Sequence, residues 1–136
     1  ATAESCTGGG IGAAITAVSG SSAVYKGGII SYQNEVKRDL LGVSESDLEN
    51  LGPVSGPVAE QMAKGARNAL QSDVAISVTG LAGPGGDTFG NPVGTVYIGY
   101  ADEKEAFSRR FSFCGNREDI RNQAIENALQ IILEKN

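Results

Sequence analysis

Histidine and tryptophan are absent from this sequence of 136 residues, and cysteine occurs only twice. Without histidine, the chain cannot form a Ser-His-Asp triad or a Cys-His dyad unless another chain supplies the base. The same absence disfavours a zinc site, and we expect no metal. Cys6 and Cys114 lie far apart and match no metal-ligand spacing, so we expect reduced thiols and a cytoplasmic protein.

Long hydrophobic runs are also missing. No apolar run approaches the ~20 residues that a membrane-spanning helix needs, so no membrane partner is expected. The net charge of -5 comes with scattered acidic residues, which argues against nucleic acid as a partner but leaves room for a small anionic ligand. The chain starts at Ala1 without methionine and within an expected strand, so we expect that a leading segment is missing.

Apolar periodicity and turn signals divide the chain into alternating helices and strands. The predicted helices cover residues 7–18, 34–41, 44–51, 55–71 and 116–135, and the predicted strands cover residues 1–4, 25–32, 74–79, 95–101 and 105–113. A tight turn joins the last two strands, which predicts an antiparallel hairpin and therefore a mixed sheet. We predict one α/β domain over residues 1–136, built as a three-layer α/β/α sandwich.

Ser5 lies where the first predicted strand gives way to a helix. Its hydroxyl is expected beside the backbone amides of Thr7, Gly8 and Gly9, which have no helical acceptor and can bind an anion. Glycines let a substrate oxygen approach such amides closely, as an oxyanion hole requires. The pattern favours a nucleophile at Ser5, and the competing interpretation is that Ser5 or Thr7 only caps the helix.

A serine nucleophile needs a base, and without histidine the candidates are lysine, tyrosine or a carboxylate. We choose Lys37, on the short helix after the second strand, where a partly buried amine can lose its proton near neutral pH. The alternative is that Lys37 is an ordinary exposed charge. Tyr32 is the second candidate, as a base or a hydrogen-bonding group, unless it is only an aromatic residue packed at the strand end.

The two neighbours of Ser5 also carry reactive groups. Glu4 either orients Lys37, holds a substrate hydroxyl or is solvated. Cys6 is a rival nucleophile, because a helix start stabilises a thiolate. Otherwise Cys6 is small buried filling.

A glycine-rich segment, residues 80–94, follows a strongly predicted strand. Its position at the edge where α/β sheets bind ligands makes Thr79, Gly80 and Gly83 candidates for binding substrate. The segment lacks the Gly-Lys-Ser/Thr ending of an NTPase loop, and no Gly-x-Gly-x-x-Gly opens a helix, so neither nucleotide fingerprint applies.

Arg117 and Arg121 share one face of the first turns of the last helix, where the helix dipole disfavours cations. Two explanations remain open at this point. A ligand phosphate compensates these charges, or the adjacent Glu118 and Asp119 do so without a ligand.

Six motifs occur in order along the chain: Thr2-Ala3-Glu4-Ser5-Cys6-Thr7-Gly8-Gly9, Tyr25-x-Gly27-Gly28 with Tyr32, Asn34-x-x-Lys37, Thr79-Gly80-x-Ala82-Gly83-Pro84, Gly94-Thr95-Val96 and Arg117-x-x-x-Arg121. Together they resemble the CinA C-terminal domain family over nearly the whole chain. The resemblance implies nicotinamide mononucleotide amidohydrolase activity, in which the carboxamide becomes nicotinate mononucleotide and ammonia during pyridine-nucleotide salvage. It implies neither a metal nor an organic cofactor.

The resemblance also assigns roles to single residues: nucleophile to Ser5, base to Lys37, pocket positions to Tyr32 and Thr79, and importance for activity to Arg121, with Arg117 as an extension of that set. It implies homo-oligomers, often dimers, and in longer relatives a preceding nucleotide-pyrophosphatase-like domain. Some relatives with this fold lack activity. The competing function is therefore a non-catalytic nucleotide-binding or interaction module.

Overall fold

The computed structural model describes all residues, 1–136. The strands are β1 (Thr2–Glu4), β2 (Gly28–Ile30), β3 (Ala75–Gly80), β4 (Thr95–Ala101) and β5 (Ala106–Ser112). The helices are α1 (Gly10–Thr16), α2 (Asn34–Leu41), α3 (Glu45–Leu51), α4 (Gly56–Leu70) and α5 (Arg117–Lys135), and a 3-10 turn covers Ser21–Ala23. None of these helices combines the length and the apolar character needed to cross a membrane.

The strands form one sheet in the order β2-β1-β3-β4-β5. β1 runs parallel to both of its neighbours, with Ala3 opposite Ile29 on β2 and opposite Ser77 on β3. The pairs β3–β4 and β4–β5 are antiparallel, which confirms the predicted hairpin and mixed sheet. Because β1, β2 and β3 are parallel, their carboxyl ends meet at one edge of the sheet.

Helices cover both faces of the sheet, which confirms the predicted three-layer arrangement. On one face, α1 and α5 contact each other and bury a cluster that includes Ile11, Ile76 and Ile120. On the other face, α4 packs on β3, β4 and β5, and α2 and α3 pack against α4 over Val58 and Met62. The segment that carries Lys37 is thereby held on the α4 side of the sheet.

Polar N-cap residues start three of the helices, at Ser44 for α3, Ser55 for α4 and Asn116 for α5. The hydroxyl of Ser44 accepts a hydrogen bond from the backbone amide three residues later, and that of Ser55 does the same. Asn116 and Asp119 form a capping box, in which each side chain accepts from the backbone amide of the other. These bonds satisfy amides that the first helical turn leaves without partners.

The first helix is shorter than predicted and begins at Gly10 instead of Thr7. Gly8 and Gly9 have φ angles of 58° and 102°, a left-handed conformation that favours glycine and does not continue a right-handed helix. The residues between β1 and α1 therefore form a separate turn. This turn, residues 5–9, is called the nucleophile turn below.

The second strand is also shorter than predicted, because only Gly28–Ile30 of the segment 25–32 pairs with β1. The amide of Tyr25 still belongs to the preceding turn and donates to the Ser21 carbonyl at 2.8 Å. The aromatic and branched composition of the segment does not reveal that local bond.

Candidate functional site

The candidate nucleophile lies at the carboxyl edge of the parallel strands. Ser5 directly follows β1, and its amide donates to the Val78 carbonyl of β3 at 3.0 Å. Ser31 directly follows β2, and its amide donates to the Glu4 carbonyl at 2.7 Å. Strand pairing thus fixes the backbone on both sides of Ser5, and Ser5 is itself buried.

Lys37 is the side chain that reaches Ser5 from α2. Only 1% of Lys37 is exposed, so it is not the surface charge of the alternative interpretation. Its Nζ lies 3.0 Å from the Ser5 Oγ, 2.6 Å from the Ser31 carbonyl oxygen and 3.1 Å from the Tyr32 carbonyl oxygen. No carboxylate forms an ion pair with it. Burial lowers the pKa of Lys37 from 10.5 to about 8, because it removes the ammonium group from water.

The three partners of the Lys37 Nζ suit an ammonium group, which can donate to all three oxygens, and they also suit a neutral amine. A neutral amine has two N–H bonds and one lone pair, and the carbonyl oxygens of Ser31 and Tyr32 can only accept hydrogen bonds. If those carbonyls take both N–H bonds, the lone pair remains for the Ser5 hydroxyl, which can donate. The geometry therefore fits a lysine that accepts the proton of Ser5.

Glu4 serves the start of α1. It is buried with 2% exposure. Its carboxylate accepts four hydrogen bonds, from the Thr7 hydroxyl at 2.7 Å, the Ile11 amide at 2.8 Å, the Gly12 amide at 2.9 Å and the Thr2 hydroxyl at 3.3 Å. Glu4 forms no hydrogen bond with Lys37, does not line the cavity beside Ser5 and is not solvated. The three sequence-based interpretations, in which it orients Lys37, holds a substrate hydroxyl or faces solvent, are therefore wrong. A carboxylate at a helix N-terminus is also favoured by the helix dipole.

Neither Ser5 nor Thr7 caps α1, so the helix-cap interpretation is wrong. The N-cap residue is Gly9, which makes no side-chain cap hydrogen bond. The Thr7 hydroxyl donates to Glu4, whereas the Ser5 hydroxyl has Lys37 as its side-chain partner.

A cavity of about 240 Å³ opens beside Ser5. The sequence-predicted residues that line it are Ser5, Tyr32, Lys37, Thr79, Gly80, Gly83 and Arg117. The predicted residues that do not line it are Thr7, Gly8, Gly9 and Arg121. The structure thus brings together residues from five of the six motifs and leaves the glycine pair of the nucleophile turn outside the lining.

Part of the lining was not identified from the sequence. Pro53 and Val54 contribute one wall, and Leu81 and Ala82 contribute apolar surface from the glycine-rich segment. The only sequence signal for the first wall is the Gly-Pro break before α4, which looks like an ordinary helix stop. Thr79 is buried and donates its hydroxyl to the Pro53 carbonyl at 2.8 Å, so it ties this wall to β3.

The mouth of the cavity carries Tyr32 and Arg117. Tyr32 is 61% exposed and is therefore not an aromatic residue packed at a strand end. Arg117 donates from Nη1 to the Gly83 carbonyl at 2.8 Å and from Nη2 to the Tyr32 hydroxyl at 3.2 Å. One guanidinium group thus bridges the glycine-rich segment and the end of β2.

Arg121 contacts the backbone of the nucleophile turn from α5. Its Nε donates to the Cys6 carbonyl at 3.0 Å and its Nη2 to the Thr7 carbonyl at 3.2 Å. Neither Arg117 nor Arg121 forms an ion pair with Glu118 or Asp119. The neighbouring acidic residues therefore do not pair with these arginines directly.

Cys6 lines the cavity beside Ser5 but is poorly suited to attack. Burial raises the pKa of its thiol to about 11, and the positive charges of Lys37, Arg121 and Arg117 offset only part of that rise. The thiolate is the nucleophilic form, so at neutral pH Cys6 is almost entirely protonated. No group of three or more histidine, cysteine, aspartate or glutamate side chains is arranged to hold a metal ion.

Relatives of known sequence match the whole chain. Residues 1–135 fit the family model of the CinA C-terminal domain. A CinA-like protein from Endomicrobium trichonymphae is 50% identical over 133 residues, which cover 98% of this chain and 31% of that protein. A CinA-like protein from Rippkaea orientalis is 49% identical over 136 residues, with coverages of 98% and 33%. The chain spans about a third of the length of these curated relatives.

Solved structures share the fold closely. A competence-damaged protein (CinA) superfamily protein from Escherichia coli is 34% identical with a TM-score of 0.96, and the match covers 99% of this chain and 78% of that one. A competence/damage inducible protein from Agrobacterium tumefaciens is 39% identical with a TM-score of 0.94, with coverages of 98% and 82%. The family resemblance read from the motifs is therefore confirmed, and the chain belongs to the CinA C-terminal domain family.

Proposed function

We propose that this domain hydrolyses the carboxamide of nicotinamide mononucleotide to nicotinate mononucleotide and ammonia, with Ser5 as nucleophile and Lys37 as base. The observation that carries the proposal is the 3.0 Å contact between the Ser5 Oγ and the buried Lys37 Nζ. The lowered pKa of Lys37 supports it, because a base must be neutral before it can accept a proton.

The proposed reaction has two stages. Lys37 takes the proton of the Ser5 hydroxyl while the Oγ bonds to the carboxamide carbon. The C–N bond then breaks, and protonated Lys37 gives its proton to the departing nitrogen, which leaves as ammonia. A water molecule attacks the resulting ester, Lys37 receives a proton from this water, and that proton returns to Ser5 as the carboxylic acid product leaves.

The charges around the cavity suit this reaction. Lys37, Arg117 and Arg121 all act electrostatically on Cys6, the residue after the nucleophile. A positive field at this position stabilises the negative oxygen that develops on the attacked carbonyl. The apolar wall of Pro53 and Val54 is compatible with an aromatic ring next to the amide.

Arg117 is the proposed ligand for the substrate phosphate. Its guanidinium group lies at the mouth of the cavity, is exposed and donates only to neutral oxygens. Arginine binds phosphate well because its planar donors match the phosphate oxygens. A phosphate at the mouth would leave the amide end of the nucleotide free to enter toward Ser5.

The direct test is ammonia release from nicotinamide mononucleotide. We expect Ser5→Ala and Lys37→Met to lower kcat by at least about 10³-fold, because a nucleophile and its base act as one unit. Ser22→Ala and Lys64→Met are matched controls at exposed positions and should retain wild-type rates. Near wild-type turnover in either active-site variant would exclude the Ser-Lys pair.

The rival functions give different outcomes in the same assay. A non-catalytic nucleotide-binding module would bind the nucleotide tightly and release no ammonia. A Cys6 nucleophile would leave Ser5→Ala active and make the wild type sensitive to thiol-directed reagents. The raised pKa of the Cys6 thiol argues against the second of these.

A further inference from the structure

We infer that Arg121 is a positioning residue of the nucleophile turn and does not bind substrate. This inference rests on the proposed function, since it concerns how the turn presents Ser5 and its neighbouring amides to an amide substrate. Arg121 is the charged side chain on α5 that reaches the backbone immediately after Ser5, and it does not line the cavity.

Arg121 uses two of its guanidinium nitrogens to bind the backbone of the nucleophile turn. Two of the guanidinium nitrogens donate to consecutive carbonyl oxygens, those of Cys6 and Thr7, at 3.0 and 3.2 Å. Two parallel bonds from a planar group fix direction as well as distance. The Nη1 group of Arg121 keeps its donors, but Arg121 does not line the cavity as Arg117 does, so we do not assign it to a substrate phosphate.

The two hydrogen bonds from Arg121 also set the orientation of two peptide planes in the turn. A trans peptide is planar, with its N–H pointing opposite to its C=O. By holding the Cys6 and Thr7 carbonyls on the α5 side, Arg121 turns the amides of Thr7 and Gly8 away from α5. The Gly8 amide then donates to the Ser5 carbonyl at 3.1 Å and closes the turn.

Two amides next to Ser5 have no backbone acceptor. The amides of Cys6 and Thr7 donate to no backbone carbonyl. Such unpaired amides next to a nucleophile are the donors from which oxyanion holes are built. Of these two amides, Arg121 orients that of Thr7, which shares its peptide plane with the Cys6 carbonyl, and Arg121 adds a positive charge beside the turn.

Glu4 also stabilises the nucleophile turn, as a hydrogen-bond acceptor. Its carboxylate accepts from the Thr7 hydroxyl and from two amides of α1, whereas Arg121 donates to carbonyls of the turn. A buried anion and a cation thus fix complementary groups of one short segment. Glu4 also stabilises α1, so Arg121 is the better residue for a functional test.

The test compares Arg121→Met and Arg121→Lys with the wild type on two substrates, nicotinamide mononucleotide and nicotinamide riboside, which lacks the phosphate. We expect Arg121→Met to lower kcat about 10²-fold on both substrates with KM changed less than about threefold, as expected when an oxyanion stabiliser is lost. Arg121→Lys should recover part of the loss because one amine can reach one carbonyl. Arg110→Met, at an exposed position on β5, is the matched control.

Two kinetic results would overturn the inference. A raised KM for the mononucleotide alone, with kcat retained, would make Arg121 a phosphate ligand. Unchanged kinetics on both substrates would show that the contacts to the turn do not matter for the reaction.

A second readout keeps the inference separate from the proposed function. If the wild type releases no ammonia, the proposed function fails, and Arg121 is then judged from the backbone NMR order parameters of Thr7 and Gly8. We expect these to fall from about 0.85 to below about 0.6 in Arg121→Met, while those of β3 stay unchanged. Unchanged order parameters in the turn would refute the positioning role.

Discussion

The burial of Lys37 should lower the free energy of unfolding, by an amount that depends on pH because burial lowers the pKa of Lys37. The pKa is about 8 in the folded protein and 10.5 in the unfolded chain. Since one pKa unit is worth about 1.36 kcal/mol, the full cost is about 3 kcal/mol. Below about pH 8 both states carry the proton and the full cost is present. Above that pH the folded protein loses its proton first, so the cost shrinks as the pH approaches 10.5.

The measurement is the free energy of unfolding of wild type and Lys37→Met in urea at about pH 7 and about pH 9.5. Between these values the wild type should gain about 2 kcal/mol relative to Lys37→Met, because only the wild type contains the buried amine. The comparison cancels every other group that titrates in this range. It also cancels the pH-independent effect of replacing the side chain, including the hydrogen bonds that Ser31 and Tyr32 lose.

Lys64→Met is the control for this measurement, because Lys64 is largely exposed. Its free energy of unfolding should follow that of the wild type across the same pH range. If Lys37→Met and the wild type also change in parallel, Lys37 has an ordinary pKa in the folded state. Lys37 would then be charged near neutral pH and could not act as a base there.

Three further predictions follow from the same geometry. The kcat/KM for ammonia release should rise with pH and level off above about pH 8, since Lys37 of the free enzyme must be neutral to act, and a pH-independent kcat/KM would contradict this. Cys6→Asp should raise the pKa of Lys37 and move that rise to higher pH, whereas Cys6→Asn should not, as measured from the pH profiles. Glu4→Gln should lower the free energy of unfolding by about 2 kcal/mol in urea, because an amide cannot accept all of the hydrogen bonds that reach the carboxylate, while Glu103→Gln, at an exposed turn position, should have no effect.

Much of the fold could be predicted from the sequence because its signals are local. The capping box of Asn116 and Asp119 and the serines before α3 and α4 mark helix starts by direct neighbour contacts. The mixed sheet and its two covered faces follow from element alternation and the tight hairpin turn, whereas the order of the strands was not predicted. The shortened α1 could not be predicted, because the left-handed glycines at its start permit a turn without requiring one.

The candidate site also contains residues with a local sequence signal and residues without one. Ser5 is marked by its place between a strand and a helix, but the burial of Lys37 depends on how α2 packs against α4 and has no local signal. Composition alone favours a surface role for such a lysine, and Lys37 is chosen from its position after the second strand and from the ordered motifs. The contacts of Glu4 and Arg121 have no sequence signal, because both side chains bind backbone groups.

The absence of an acid beside Lys37 is a condition for the proposed chemistry. In a serine-histidine-aspartate triad, a carboxylate orients the base and stabilises its charged form. An aspartate next to Lys37 would also orient the amine, but it would hold the pKa of a lysine high and keep it protonated at neutral pH. The carbonyls of Ser31 and Tyr32 orient the amine without carrying a full charge, so burial can lower its pKa to about 8. Backbone carbonyls at the end of β2 therefore take the orienting role of a third catalytic side chain and leave the base neutral enough to work.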